Sequence, residues 1–541
     1  MEKTLKMIQS VSSSCTKIDA ADVMVSVDKK DLHKVCEALY KDGWDYLINL
    51  TAVDNVENIE IVYHISKSAD MEKFMVLKTN TTDVENPIIE TVSDIWKSAN
   101  LYEREAYDFF GVRFLNHPDM RRLFLRPDWV GYPLRKNYDN TPNEGIPSKV
   151  HDMDACEDVP SITLDRHGEI VENHTKLFGR NEYVVNFGPQ HPSTHGVLHL
   201  RVSLEGETIK KIDPNFGYIH RGIEKMMESM TYPQMLFLTE RLDYLCGSMN
   251  RHALCMCVEK AMGLEIPKRA EYIRTIFDEL NRIASHLLGW ACMCNDMGSI
   301  TAFIYGMRDR EKIMDLFQET AGGRLMVNYY VIGGVAQDIH PNFVNRVKEF
   351  IPYLRKMIKE YHTLFTGNPI ARGRMINCGL LKKEDAIALG MSGPNGRASG
   401  WHCDVRKIAP YAAYSEVDFK EILHDGGDTI DRYMIRLEEI EESLKIIEQL
   451  IDKIPEGDFR AKVPAIVKVP AGEYYQRVEN ARGDFGVYLK STGDKSPYRI
   501  KFRSPSMVAV SGLDPICRDT KIADLIMIGG SLDYVIPCID R

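Results

Sequence analysis

The sequence predicts an α+β fold class in two parts: an N-terminal α+β docking domain, then a mainly helical domain with β-strands at its margins. Three observations predict it. Strand-like runs crowd the first 139 residues around one amphipathic helix. A polar stretch rich in Asn, Asp and Pro follows, and beyond it lie long segments with apolar residues at i, i+3 and i+4. A length of 541 residues also exceeds what one core ordinarily serves. The boundaries read as a domain over 1–139, a linker over 140–180 and a second domain over 181–541.

Taken in order, "DVMVSV", "DYLINLTAVD", "IEIVYHISK" and "KFMVLKTN" read as strands, and consecutive strands imply a largely antiparallel sheet. "KKDLHKVCEALYKDG" reads as a helix with Leu32, Val35, Leu39 and Tyr40 on its apolar face. The stretch from Asn137 to Ser161 has few large apolar residues and reads as linker. "EYVVNF" and "VLHLRVSL" then read as strands on either side of a loop. "KRAEYIRTIFDELNRIASHLLGW" places Ile273, Ile276, Phe277, Leu280, Ile283 and Leu287 at helical spacing. "FVNRVKEFIPYLRKMIKEYHTLF" is a second helix, kinked at Pro352, and "DTIDRYMIRLEEIEESLKIIEQLIDKI" a third that stops at "PEG". From about Glu473 the tail returns to strand-like alternation.

A formal net charge of -10 argues against a general affinity for nucleic acid. No run of about 18 apolar residues suggests a membrane span, and "MEKTLKMIQSVSSSC" lacks the apolar core of an export signal. The expectation is a cytoplasmic protein that docks on a membrane only through partners. Twelve cysteines include two C-x-C pairs, Cys255/Cys257 and Cys292/Cys294, and no C-x-x-C. Both pairs fall in apolar helix-like sequence and read as reduced core residues, with no metal held by this chain.

Neither G-x-x-x-x-G-K-[ST] nor G-x-G-x-x-G occurs, so no nucleotide site is expected, and no G-x-S-x-G argues for a hydrolase. The stretch "GPQHPSTHG" sets His191 and His195 four residues apart. That spacing suits two metal ligands on a helix, but Pro189 and Pro192 oppose a helix there. A shaped loop with one functional histidine is the better reading, with His191 as a brace.

Three further stretches sharpen the picture. The first, Ala99–Asp139, carries the run Tyr102-Glu103-Arg104-Glu105 and "HPDMRR", and taken alone it reads as a surface that docks on another protein. The second contains "HRGIEK" and "ERLDY", and the third is "SLDYVIPCIDR". Together with "GPQHPSTHG", "RASGWHCDVRK" and "PYRIKFRSPS", these resemble the fused C (30 kDa-type) and D (49 kDa-type) subunits of bacterial respiratory complex I, the NADH–quinone oxidoreductase. The resemblance runs through nearly the whole chain in order. It implies a second domain like the large subunit of [NiFe] hydrogenases. A hydrogenase would need two thiolate pairs, which "HRGIEKMME" and a lone Cys538 near the end do not supply.

The resemblance implies a quinone-headgroup pocket, for ubiquinone or menaquinone, formed against a small iron–sulfur (B-type) partner subunit. Other peripheral-arm subunits and the membrane-arm subunit of the quinone channel would be further partners. It places the complex on the cytoplasmic side of the inner membrane as a peripheral assembly, with NADH as the default donor bound elsewhere and reduction coupled to proton translocation. Carried over by motif, His195 is the loop histidine, Tyr244 the pocket tyrosine and Asp296 the acid paired with the histidine. A neutral phenol can donate a hydrogen bond to a headgroup oxygen without ionising first, and a histidine beside a carboxylate is a second donor. Arg221 and Arg241 match arginines near the partner's iron–sulfur cluster, where a fixed cation favours the reduced form. The alternative for Arg221 is a salt bridge to Glu224 or Asp243. Many relatives carry a histidine where this sequence has Met326, which implies weakened pH tuning of that cluster. A non-catalytic scaffold is the rival function.

Overall fold

The computed structural model of the chain describes residues 2–18, 22–143, 157–179, 182–190 and 196–541. They fall into two compact units. One holds residues up to Lys225 with Ile387–Gly390 and Asp540, and the other holds Met226–Ala386, Met391–Ile539 and Arg541.

The first unit is built on a five-stranded sheet in the order Thr16–Ile18, Met24–Ser26, Asp70–Thr81, Ile59–Lys67, Tyr46–Asp54. Its neighbours are antiparallel except Met24–Ser26 against Asp70–Thr81. The helix Leu32–Lys41 buries Leu32, Val35, Cys36 and Leu39. Tyr40 departs from the expected face: it is 42% exposed, with its ring centroid 6.3 Å from that of Trp96. Adjacent helical residues point about 100° apart, so Leu39 takes the core and Tyr40 the rim.

The charged run of the Ala99–Asp139 stretch turns inward, while residues such as Pro127, Asp128 and Val130 stay exposed. Tyr102, Glu103, Arg104, Glu105 and Asp108 are all buried on the helix Ala99–Phe110. Asp108 accepts the backbone N–H groups of Leu123, Phe124 and Leu125 at 3.0, 2.7 and 3.0 Å. Arg121 joins Asp119 and Asp213 at 2.6 and 2.9 Å. Dense charge in sequence can therefore mark a buried network as readily as a docking face. Glu103 differs from the rest. Burial pushes its carboxyl up to about 8 against the pull of bonds from Thr91 and Val92. Burial likewise drives His117 down to about 4. Their 3.8 Å approach therefore joins two neutral groups at pH 7.

Inside the span expected to be linker, Asp158–Leu164 pairs antiparallel with Ile170–Lys176. The Asn116 N–H donates to the Ile162 carbonyl and the Met120 N–H to that of Pro160, both at 2.8 Å. Ile170–Lys176 is exposed throughout. A strand held by backbone pairing and polar surface contacts, such as Glu172 with Arg113 and Asn173 with Thr163, has no hydrophobic alternation to betray it. A three-stranded antiparallel sheet, Tyr183–Phe187, His199–Glu205 and Thr208–Asn215, follows.

The second unit centres on the 29-residue helix Lys268–Asp296, packed against Ile300–Ala321 and Thr429–Leu450. Pro352 lies inside the helix Phe343–Tyr361. The tail's expected strands are Gly472–Asn480, Gly483–Ser491 and Arg499–Arg503 in an antiparallel meander. Short helices such as Pro505–Ser511 and Leu525–Leu532 come after them, too brief to show a period in sequence. This core is charged as well as apolar. Arg397 bridges Glu439 and Glu479 at 2.7 Å each, and His286 meets Glu439 at 2.9 Å. Such pairs are tolerated while complete, and removing one partner costs about 3–5 kcal/mol. The C-x-C cysteines sit on Gly247–Met262 and Lys268–Asp296 as free thiols.

Candidate functional site

Tyr244 lies in the short connection between helices Tyr232–Glu240 and Gly247–Met262. The residue before it sets its direction. Asp243 is fully buried and accepts the N–H groups of Leu245 and Cys246 at 3.0 and 3.3 Å, the turn in which an Asp side chain holds its own backbone two residues on. It also accepts from Arg482 Nη1 at 2.9 Å and from the Cys246 thiol at 3.0 Å. With Leu242, Asp243 and Leu245 all turned inward, Tyr244 is left 36% exposed. Burial of the phenol raises its pKa, helped by Asp243, Cys292 and Asp533 and opposed by Arg482. Tyr244 is therefore a neutral O–H donor at physiological pH.

Asp296 is the last residue of the helix Lys268–Asp296 and is half-buried. A carboxylate at a helix C-terminus faces the negative end of the dipole, a placement that costs about 0.3–1 kcal/mol. Its charge raises the pKa of the Cys292 thiol, after burial, and Cys292 in turn acts on Tyr244. His195, with His191, lies outside the described residues.

The two arginines take different settings. Arg241 is exposed and donates through Nη1 to the Phe237 carbonyl at 2.6 Å, at the C-cap of the helix Tyr232–Glu240. Arg221 is exposed in the first unit, beside a tightly held loop. Asp540 accepts from the N–H groups of Gly217 and Ile219 at 2.9 and 3.0 Å, and its carbonyl accepts from His220 Nδ1. The His220 ring lies 5.2 Å from Phe109 and 5.6 Å from Phe124. Met326 is half-buried, and its carbonyl accepts from Asn328 Nδ2 at 3.2 Å. No group of three or more His, Cys, Asp or Glu suited to a metal occurs among the described residues.

Sequence reasoning missed the groups under Tyr244. Asp243 stood in the quoted "ERLDY" only as an alternative partner for Arg221, Asp533 stood in "SLDYVIPCIDR" without a role, and Arg482 gave no signal at all.

A family model described as "Respiratory-chain NADH dehydrogenase, 30 Kd subunit" matches residues 25–144, and one described as the "49 Kd subunit" matches 296–467 and 462–541. An NADH-quinone oxidoreductase C/D subunit from Phocaeicola vulgatus is 57% identical over 498 residues, covering 92% of this chain and 95% of that one. Its counterpart from Bacteroides thetaiotaomicron is 55% identical over 520 residues, covering 96% and 98%. The chain belongs to the family of fused NADH-quinone oxidoreductase C/D subunits. An unfused D-type relative, the NADH-quinone oxidoreductase D subunit from Desulforamulus reducens, is 49% identical over 359 residues, 66% of this chain but 98% of its own length. The fused protein thus joins a 30 kDa-type domain to a 49 kDa-type domain, and it is one subunit of an oxidoreductase complex.

Proposed function

We propose that this subunit forms the quinone-headgroup pocket of its complex and assists electron transfer from a partner subunit's terminal iron–sulfur cluster to quinone. The observation that carries the reading is Tyr244: a neutral phenol turned outward beside a buried Asp243–Arg482 pair. Reduction of a quinone to a quinol takes two electrons and two protons. The phenol donates a hydrogen bond and then a proton to one headgroup oxygen, and His195, paired with Asp296, serves the other. The Arg482 cation opposes the burial of negative charge on the phenol oxygen while the proton is away.

In this reading residues 1–139 form the docking domain, 140–180 the connection and 181–541 the quinone-site domain. Arg221 and Arg241 face the small iron–sulfur subunit and its cluster. Met326 leaves the potential of that cluster less sensitive to pH than a histidine would. The other partners are further peripheral-arm subunits and the membrane-arm subunit of the quinone channel, on the cytoplasmic side of the inner membrane. NADH is oxidised elsewhere in the complex, and reduction is coupled to proton translocation.

The test is quinone reduction by the intact complex carrying Tyr244→Phe, with assembly verified. Loss of the donor lowers turnover by about 10²-fold or more. Near-normal turnover in an assembled complex would leave the subunit as a scaffold.

A further inference from the structure

The first unit holds a cavity of about 170 Å³ beside the helix Ala99–Phe110, which contributes Arg104 and Tyr107 to its wall. Arg121 and Arg122 come from the chain after that helix, and Asn215 from the end of the strand Thr208–Asn215. The remaining lining is Met, Leu and Pro side chains, and no carboxylate is among the lining residues. A water molecule takes about 30 Å³, so the cavity has room for several waters or for a small organic group.

The acids that balance these arginines stand outside the wall, and they are already engaged. Asp119 gives its closest approaches to Arg121, at 2.6 Å from Nη2 and 2.9 Å from Nε. Asp213 is shared between Arg121 and Arg201, at 2.9 and 2.7 Å. Asp108 accepts from Arg122 Nη1 at 3.0 Å as well as from three backbone N–H groups. Arg104 is left with the least. Its Nε and Nη2 donate to the carbonyls of Arg121 and Arg122 at 3.1 and 3.3 Å, and its Nη1 has only Asp119, 3.5 Å away. The residue is 8% exposed. Burial lowers its pKa, and the attraction of Asp119 does not restore it.

A cation taken out of water is stable only when a partner replaces the water it lost, and Arg104 faces the cavity with that replacement incomplete. A guanidinium matches the oxygens of a carboxylate or a phosphate in both charge and shape. Tyr107 adds a neutral donor. It follows Arg104 by three residues on the helix and so shares its face. Burial raises the pKa of the phenol, and its hydroxyl has no hydrogen-bond partner among the described residues.

We propose that this cavity binds a small oxyanion, a carboxylate or a phosphate, seated on Arg104 Nη1 and the Tyr107 hydroxyl. Arg121 and Arg122 make the surroundings cationic, and the apolar part of the wall takes the carbon end of a carboxylate. The same chemistry has two sources, a free anion from solution and an acidic side chain of an adjoining subunit.

The test is thermal melting of the full chain at fixed ionic strength and near-neutral pH in chloride, inorganic phosphate or acetate. Phosphate and acetate should each raise the melting temperature saturably, by about 2–5 °C, and chloride should not. Tyr107→Phe should melt like the wild type in chloride but need about tenfold more anion for the same rise, because one hydrogen bond to a charged group is lost. Arg104→Met should abolish the rise. A wild type that gains no more from phosphate or acetate than from chloride would overturn the proposal, as would an unchanged anion response in either variant. A structure of the intact complex then gives the source: an isolated anion on Arg104, or a carboxylate of an adjoining subunit. Water alone in the cavity there sinks the proposal. If Arg104→Met does not fold, Tyr107→Phe decides, and if the chain does not fold without its partners, the structure of the complex decides by the same three outcomes.

Discussion

Glu103 gives the sharpest quantitative test of the first unit. It is fully buried, and its carboxyl is pushed from the ordinary 4.5 up to about 8 by burial, so the folded chain holds a proton there that the unfolded chain releases. Neighbouring His117, driven to about 4, offers no compensating charge. The folded-state value is raised, so the stabilising contribution is fully present below pH 4.5 and is lost as the pH climbs to about 8. At 1.36 kcal/mol per pKa unit the whole loss is about 5 kcal/mol, a large part of a typical domain's stability. Glu103→Gln keeps the shape and the bond from the Val92 N–H but cannot ionise. The assay is thermal unfolding of both proteins across pH 5–9. The wild type should fall steadily relative to the variant on the alkaline side, with the gap levelling off above about pH 8. Parallel curves would refute the argument, because they would mean that the carboxyl ionises in the fold at its ordinary pH.

Other outcomes follow from the same kind of accounting. Arg482→Met strands Asp243 without its cation and leaves Asp533 only the longer pair to Arg436, so it should cost about 3–5 kcal/mol, and adding Asp243→Asn should recover part of it in thermal inactivation of the complex. Gly217 has φ +94°, and a Cβ there would come within 2.0 Å of the Phe124 carbonyl oxygen, so Gly217→Ala should cost several kcal/mol, read as loss of assembled complex. His424 has its pKa raised, by Glu438 first and Asp431 also, against burial. Its contribution is full below the ordinary histidine value and fades as the pH rises through the raised one, so His424→Gln should destabilise the chain at pH 5.5 but little at pH 9 in melting experiments.

Much of the fold was legible because it is local. "IEIVYHISK" is the strand Ile59–Lys67 residue for residue, and the helix begun at Lys268 differs from its reading only by continuing through Cys292 and Cys294 to Asp296. The hairpin Asp158–Lys176 was not legible, since its second strand lies exposed on both faces and is held by backbone pairing and polar surface contacts that leave no apolar pattern. For the candidate site Tyr244 and Asp296 came from motifs alone, and Asp296 stands at the end of the helix Lys268–Asp296. Nothing signalled Arg482, because its partner Asp243 is 239 residues away and no periodicity reports a pairing at that separation. Tyr40 failed for a simpler reason: the helix Leu32–Lys41 buries one face only, and Tyr40 lies at the edge of that face beside Leu39.

The bonds from Gly217 and Ile219 to Asp540 close a ring of more than three hundred residues. For a flexible chain, closing a ring of that size costs roughly 5 kcal/mol in entropy. Two hydrogen bonds from backbone N–H groups to a carboxylate, at about 1.5–3 kcal/mol each, do no more than offset that. The clasp can therefore shut only after the intervening chain has collapsed and brought the ends together. It is a late event in folding. A polypeptide whose interior has folded wrongly cannot present that turn in its finished shape.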